Sequence, residues 1–165
     1  MLATILIAFR EGLEAALIIG IVFGYLKRTG QQRYYRSVWA GALSAVLASI
    51  AVAVAIQAVG AELEGQAEQI FEGVTMILAV AVLTWMIFWM RTQARSIKST
   101  LEHELEQAVG KNQHRGLMMV AFFAVFREGV ETALFLSAAS FAASGENTLL
   151  GTLIGLAVAA AIGYA

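Results

Sequence analysis

The chain has 165 residues, 59% of them hydrophobic, with a mean hydropathy of +0.74 and a formal net charge of −1. A soluble domain is about 45–50% apolar by a similar count, so the composition excludes an ordinary globular fold, and the near-zero charge offers nothing to a nucleic acid. Cys is absent, which rules out disulfides, thiolate metal sites and cysteine nucleophiles; Pro is absent too, so no helix is broken by proline.

The apolar residues fall in long runs, and a membrane helix needs roughly 20 of them. The first run covers residues 2–26. It carries Arg10, Glu11 and Glu14 inside it and has no basic segment before it, so it reads as a span and not as a cleavable signal. A basic loop follows, with Lys27, Arg28, Arg33 and Arg36. The second run covers 38–59. The next loop is acidic, with Glu62, Glu64 and Glu68 and no Lys or Arg. The third run covers 70–90. Beyond it Arg91, Arg95, Lys98, Lys111 and Arg115 make a second basic stretch. Within that stretch Ile97, Leu101, Leu105 and Val109 recur at four-residue spacing, predicting an amphipathic cytoplasmic helix over about 92–109. His103 and His114 read as solvated loop residues. The fourth run covers 117–141, and a loop holding only Glu146 leads to the fifth, 149–165. That run ends without a polar flank, which predicts a protein that continues beyond Ala165. The expectation is an all-α integral membrane protein, a polytopic helix bundle forming a single transmembrane domain.

Loop charges set the orientation, because Lys and Arg collect on the cytoplasmic side. All four loops agree, with the N-terminus outside. Tyr34, Tyr35, Trp39, Trp85 and Trp89 then fall at the cytoplasmic interface, where aromatic belts sit.

Two spans carry the same motif. The first reads Phe9-Arg10-Glu11-Gly12-Leu13-Glu14-Ala15-Ala16-Leu17, the fourth Phe126-Arg127-Glu128-Gly129-Val130-Glu131-Thr132-Ala133-Leu134; seven of nine positions are identical. The two spans run in opposite directions, so the repeat is inverted, an arrangement that builds central sites in secondary transporters. Glu11 and Glu14 are three apart, as are Glu128 and Glu131, so each pair shares a helix face. Arg10 and Arg127 each lie four residues before a Glu and can neutralise it. At about 1.5 Å rise per residue, Glu11 and Glu131 both lie roughly 22 Å above the cytoplasmic ends of their spans, and Glu14 and Glu128 roughly 18 Å. If the two helices touch, four carboxylates ring one point. Gly12, Ala16, Gly20 and Gly24 form a small-residue stripe on the opposite face, repeated by Gly129, Ala133 and Ser137; such stripes admit close helix packing, within one chain or across a homo-oligomer.

A charge at a helix centre costs about 2.5–3.5 kcal/mol on insertion scales, whereas polar contacts in membranes average only about 0.6 kcal/mol. Six charges in two motifs therefore point to an ion or proton path and not to glue between helices. Carboxylates are hard ligands, and each motif has a formal charge of −1, so a cation is favoured over an anion. Glu68 and Glu72, one helical turn apart, lie where an outer entrance would be, and with Glu62 and Glu64 they would concentrate cations there. Met76, Met86, Met90, Met118 and Met119 read as packing. On the residues alone the reading ends at a cation or proton path.

The paired Arg-Glu-x-x-Glu motifs, with Phe71-Glu72-Gly73 opening the third span and Leu83-Thr84-Trp85-Met86-Ile87-Phe88-Trp89-Met90-Arg91 closing it, resemble the oxidase-dependent iron permease family, in particular its bacterial branch. The resemblance covers the whole chain. It implies iron uptake across the cytoplasmic (inner) membrane by a non-enzymatic permease with no permanently bound cofactor, iron being the transported substrate. It implies seven helices in two inverted three-helix repeats. It also implies that Glu11, Glu14, Glu128 and Glu131 bind iron, with Arg10 and Arg127 as charge partners. The implied partners are a periplasmic iron-binding protein and a haem peroxidase in bacteria, or a multicopper oxidase in fungi. Ferric iron suits the hard ligands better, and ferrous iron stays open. The rival readings are a transporter of lead, manganese or protons, a membrane oxidoreductase with a carboxylate iron centre, and a membrane-embedded scaffold. Di-iron enzymes usually supply His from Glu-x-x-His motifs, which this chain lacks.

Overall fold

The computed structural model describes residues 2–93, 113–142 and 148–164, and these are helical with short turns. Helix α1 runs Leu2–Arg28, α2 Tyr35–Glu62, α3 Gln66–Gln93, α4 Gln113–Ala142 and α5 Thr148–Tyr164. The amphipathic segment expected over 92–109 falls almost wholly outside the described residues, as do His103 and Glu146.

Local chemistry explains the first turn. Gly30 takes φ +71°, a left-handed conformation that glycine adopts without steric cost. The Gln31 N–H then donates to the Leu26 carbonyl at 2.8 Å and the Gly30 N–H to that of Lys27 at 3.3 Å. Those two bonds satisfy carbonyls that the end of α1 would otherwise leave open. A 3-10 turn, Gln32–Tyr34, carries the chain into α2.

The bundle buries polar groups among apolar and small side chains, and its outer face is apolar. Glu11, Glu128, Thr4, Ser49, Thr75 and Ser137 are buried, while Leu47 and Ile77 are 69% and 70% exposed. Apolar outer faces with charges within suit a lipid surround and would be aggregation-prone in water. Two helices, Gln32–Glu62 and Gln66–Phe88, are long and apolar enough to cross a membrane by composition alone. The motif helices α1 and α4 each carry three charged residues mid-helix, which a purely compositional test penalises, and α5 is only 17 residues long.

Small residues decide which helices touch. On α5, Gly155 lies against Ile5, Ala8 and Phe9, and a Cβ at Gly163 would stand 2.7 Å from Ala16 Cβ. One at Gly12 would stand 2.8 Å from Ala159 Cβ. Residue numbers rise together on both helices, so α1 and α5 are parallel. Likewise Gly41 on α2 lies against Met118 and Ala121 of α4, and Gly129 lies against Ser49, so α2 and α4 are parallel. The α1 and α4 helices also pack on each other, and α3 packs on α4, with Phe71 and Phe141 rings 6.1 Å apart edge to face. The stripe expected on α1 is covered only in its first half. Gly20 and Gly24 meet nothing among the described residues and line an open groove of about 580 Å³ with Leu13, Leu17 and Ile21.

Tyr34, expected at the cytoplasmic interface, is covered by protein. The 3-10 turn folds it inward, and it is buried among Val22, Leu26, Val38 and Leu117. Its hydroxyl accepts a bond from Arg33 Nη2 at 2.6 Å, and the His114 ring meets it edge-on at 4.6 Å. His114 stays exposed at the head of α4, as expected, with Ser37 Oγ 3.0 Å from its Nδ1. Trp39 and Trp85 are exposed, as expected of aromatic residues facing lipid.

The Gly129 approach yields a prediction. A Cβ there overlaps the Ser49 side chain, so Gly129→Ala should destabilise the bundle by about 1–3 kcal/mol, as overpacking does. Gly73→Ala, where a Cβ meets nothing, should be neutral or slightly stabilising. Thermal unfolding in detergent separates the two.

Candidate metal centre

The motif residues sit in the middle of α1 and α4, where these two helices face each other. Packing of α5 on one flank of α1 and of α2 on one flank of α4 leaves the carboxylate faces turned inward.

Glu11, Glu128 and Glu131 come together. Each is buried, and one carboxylate oxygen from each lies within 4.8 Å of the other two. The remaining chemistry is unfinished: Oε2 of Glu11, of Glu128 and of Glu131 is buried without a hydrogen-bond partner. Buried acceptors are nearly always paired, and three orphan carboxylate oxygens in one place are costly unless a cation or protons join them. Hard oxygen ligands at this spacing fit a divalent or trivalent cation.

The fourth carboxylate departs from the expected ring of four. Glu14 is not one of the three that converge. Its Oε1 is held at 2.9 Å by Arg10 Nη2, and it is partly exposed. Arg10 also donates from Nη1 to Glu11 Oε1 at 2.7 Å, so one guanidinium bridges both carboxylates of its own motif. The i,i+4 spacing anticipated the bond to Glu14. The bond to Glu11, its neighbour in sequence, depends on side-chain rotamers that spacing does not reveal. Arg127 Nε donates to Glu131 Oε1 at 3.0 Å, the i,i+4 pair expected of the second motif. Arg10 thus holds both carboxylates of its own motif, and Arg127 holds Glu131 of the second.

Glu68 and Glu72 lie on the first two turns of α3, away from the three converging carboxylates; Glu68 is exposed and Glu72 half-buried. Sequence reasoning passed over one residue near the centre. Met86, read as packing, is 2% exposed and places its sulfur 2.9 Å from Arg10 Nη2. No spacing rule on α3 marks it.

The model of the iron permease FTR1 family matches residues 1–165. The chain is 40% identical over 166 residues to the ferrous iron permease EfeU of Escherichia coli O157:H7, covering 99% of this chain and 60% of that protein. The EfeU of Shigella sonnei gives the same figures. That of Yersinia pestis is 38% identical over 167 residues, covering 100% and 59%. The chain therefore spans about 60% of the length of the curated relatives it matches. No solved structure matches it.

The Arg10 ion pairs are testable. Removing Arg10 strands Glu11 and Glu14, and an unpaired buried charge is strongly destabilising. Arg10→Leu should lower the unfolding midpoint, and combining it with Glu14→Gln should recover part of the loss.

Proposed function

Because the chain belongs to the iron permease FTR1 family, we propose that α1 and α4 form the central cation path of a permease that carries ferrous iron into the cell across the cytoplasmic membrane. The observation that carries this reading is the trio Glu11, Glu128 and Glu131, with one unsatisfied buried oxygen on each. Glu14 serves as the adjoining ligand, held in reserve by Arg10. Arg127 and Arg10 keep the unloaded site from carrying its full negative charge.

Ligand hardness favours ferric iron, but charge balance favours ferrous. The two motifs contain four Glu and two Arg, and −4 plus +2 gives −2. A divalent ion makes the loaded centre neutral, the state that costs least inside a bilayer. The related EfeU proteins are named ferrous iron permeases, which supports the same choice.

The N-terminus is placed outside by the loop charges. Iron then enters from the side of Glu68 and Glu72, reaches the trio, and leaves toward the end of the bundle that holds Arg28, Tyr34 and His114. That exit is sealed by apolar side chains: Val22, Leu26, Val38, Leu117 and Ala121 are all fully buried between α1, α2 and α4. A bare or hydrated ion cannot cross such a layer, so transport requires these helices to part.

The helix pairs support an inverted repeat. Exchanging α1 with α4 and α2 with α5 maps the close α1–α5 contact onto the α4–α2 contact, each a parallel pair joined through small residues. The spacing Gly155, Ala159, Gly163 against Ala8, Gly12, Ala16, continued along α1, falls on Gly20 and Gly24. The oxidoreductase reading gains nothing here, since the described histidine, His114, packs on Tyr34 and Ser37 rather than on the carboxylates.

Anaerobic uptake of radioactive Fe(II) into proteoliposomes carrying the full-length protein tests the proposal. Wild type should accumulate iron, and Glu128→Gln should lose uptake by at least about tenfold, as loss of ligand-sphere groups does. Uptake unchanged in Glu128→Gln would remove the trio from the path. The seal makes a separate prediction, made simple by the absence of native cysteine in this chain. A cysteine at Ala121 should resist an impermeant maleimide added from the cytoplasmic side and become reactive only during iron transport.

A further inference from the structure

The guanidinium of Arg10 has five N–H donors and no acceptor, and its side chain, 34% exposed, lies beside the buried carboxylates. Nη1 is spent on Glu11, at 2.7 Å, and Nη2 on Glu14, at 2.9 Å. The third contact comes from a different helix: Met86 Sδ of α3 lies 2.9 Å from Nη2. Met86 is 2% exposed, so this thioether is fixed by the packing of α3 and is not a lipid-facing side chain that swings to the arginine.

We propose that Met86 is a positioning residue for the cation site, holding the Arg10 guanidinium on the side of Glu11 and Glu14 and away from Glu128 and Glu131. The inference rests on the reading of that space as the iron site.

The argument follows from what each contact does when a cation arrives. A metal ion among the three carboxylates competes with Nη1 for Glu11 and repels the guanidinium. Nη2 keeps two partners that the ion does not take, Glu14 Oε1 and Met86 Sδ, so the guanidinium has a defined place to stay. Sulfur suits this task because it is a weak, neutral acceptor. A carboxylate at position 86 would draw Arg10 away from its own motif and add a charge to the bundle. A leucine would fill the same volume but remove the Met86 acceptor and loosen the hold on Nη2. Arg10 would then turn toward the three remaining carboxylates, where the guanidinium and the incoming cation compete for the same oxygens.

The expected signature is therefore in apparent affinity. In anaerobic Fe(II) uptake by full-length protein in proteoliposomes, Met86→Leu should raise KM by about tenfold, the scale of one lost bond to a charged group, with maximal rate and unfolding midpoint near wild type. Met86→Gln, which restores an acceptor at similar length, should bring KM back toward wild type. A wild-type KM in Met86→Leu overturns the inference. So does equal impairment in Met86→Leu and Met86→Gln, which would mark the sulfur as a metal ligand or a packing group. If wild type takes up no iron, the permease reading fails on its own account. The Met86 inference is then decided by equilibrium binding of Mn(II) to the purified full-length protein. The same order of affinities is required there, and a dissociation constant in Met86→Leu within about twofold of wild type overturns it.

Discussion

The structure depends on keeping carboxylates inside an apolar bundle. Glu11 is 1% exposed, and beside it Glu128 and Glu131 are buried as well, each with an unsatisfied oxygen. Every other feature near the centre makes this arrangement tolerable. Arg10 and Arg127 are placed one turn from carboxylates of their own helices. The hydroxyls of Thr132, Ser49 and Thr75 bond carbonyls four residues earlier and so demand nothing from the site. Gly12 and Gly129, inside the motifs, let α5 and α2 approach closely and shield the motif helices. A motif glycine is thus a packing device, and the motif as a whole joins ligands, charge partners and helix contact within five residues.

Two halves of the molecule solve the same problem with different side chains. Gly12 meets Ala159 where Gly129 meets Ser49, and both contacts are between parallel helices. Arg10 pairs with Glu11 and Glu14 and contacts Met86, and Arg127 pairs with Glu131. The apolar layer of Val22, Leu26, Val38 and Leu117 closes the end of the bundle where Tyr34 is buried.

Much of this was legible in the sequence, because hydropathy and the doubled motif are both strong signals. The five helices lie over the five apolar runs, since long apolar runs in lipid can satisfy their backbones only as helices. The meeting of Glu11 with Glu128 and Glu131 follows from two equally deep motifs on helices that touch. The details that escaped depend on rotamers and on contacts between distant segments. Rise per residue placed Glu14 level with Glu128, but Arg10 holds it aside. Tyr34 looked interfacial because aromatic residues near charged loops usually are, and a 3-10 turn instead tucked it under α4. Met86 looked like packing because its partner lies 76 positions away.

The central claim is that the two motifs make one cation site. It is tested most directly by a double-mutant cycle on equilibrium Fe(II) binding to the full-length protein, with Glu11→Gln, Glu128→Gln and the pair. One shared site predicts strong coupling: either substitution alone removes most of the binding energy, and the double variant binds no more weakly than the weaker single. Effects that simply add would mean that the carboxylates serve separate sites on α1 and α4, and the shared centre would be refuted.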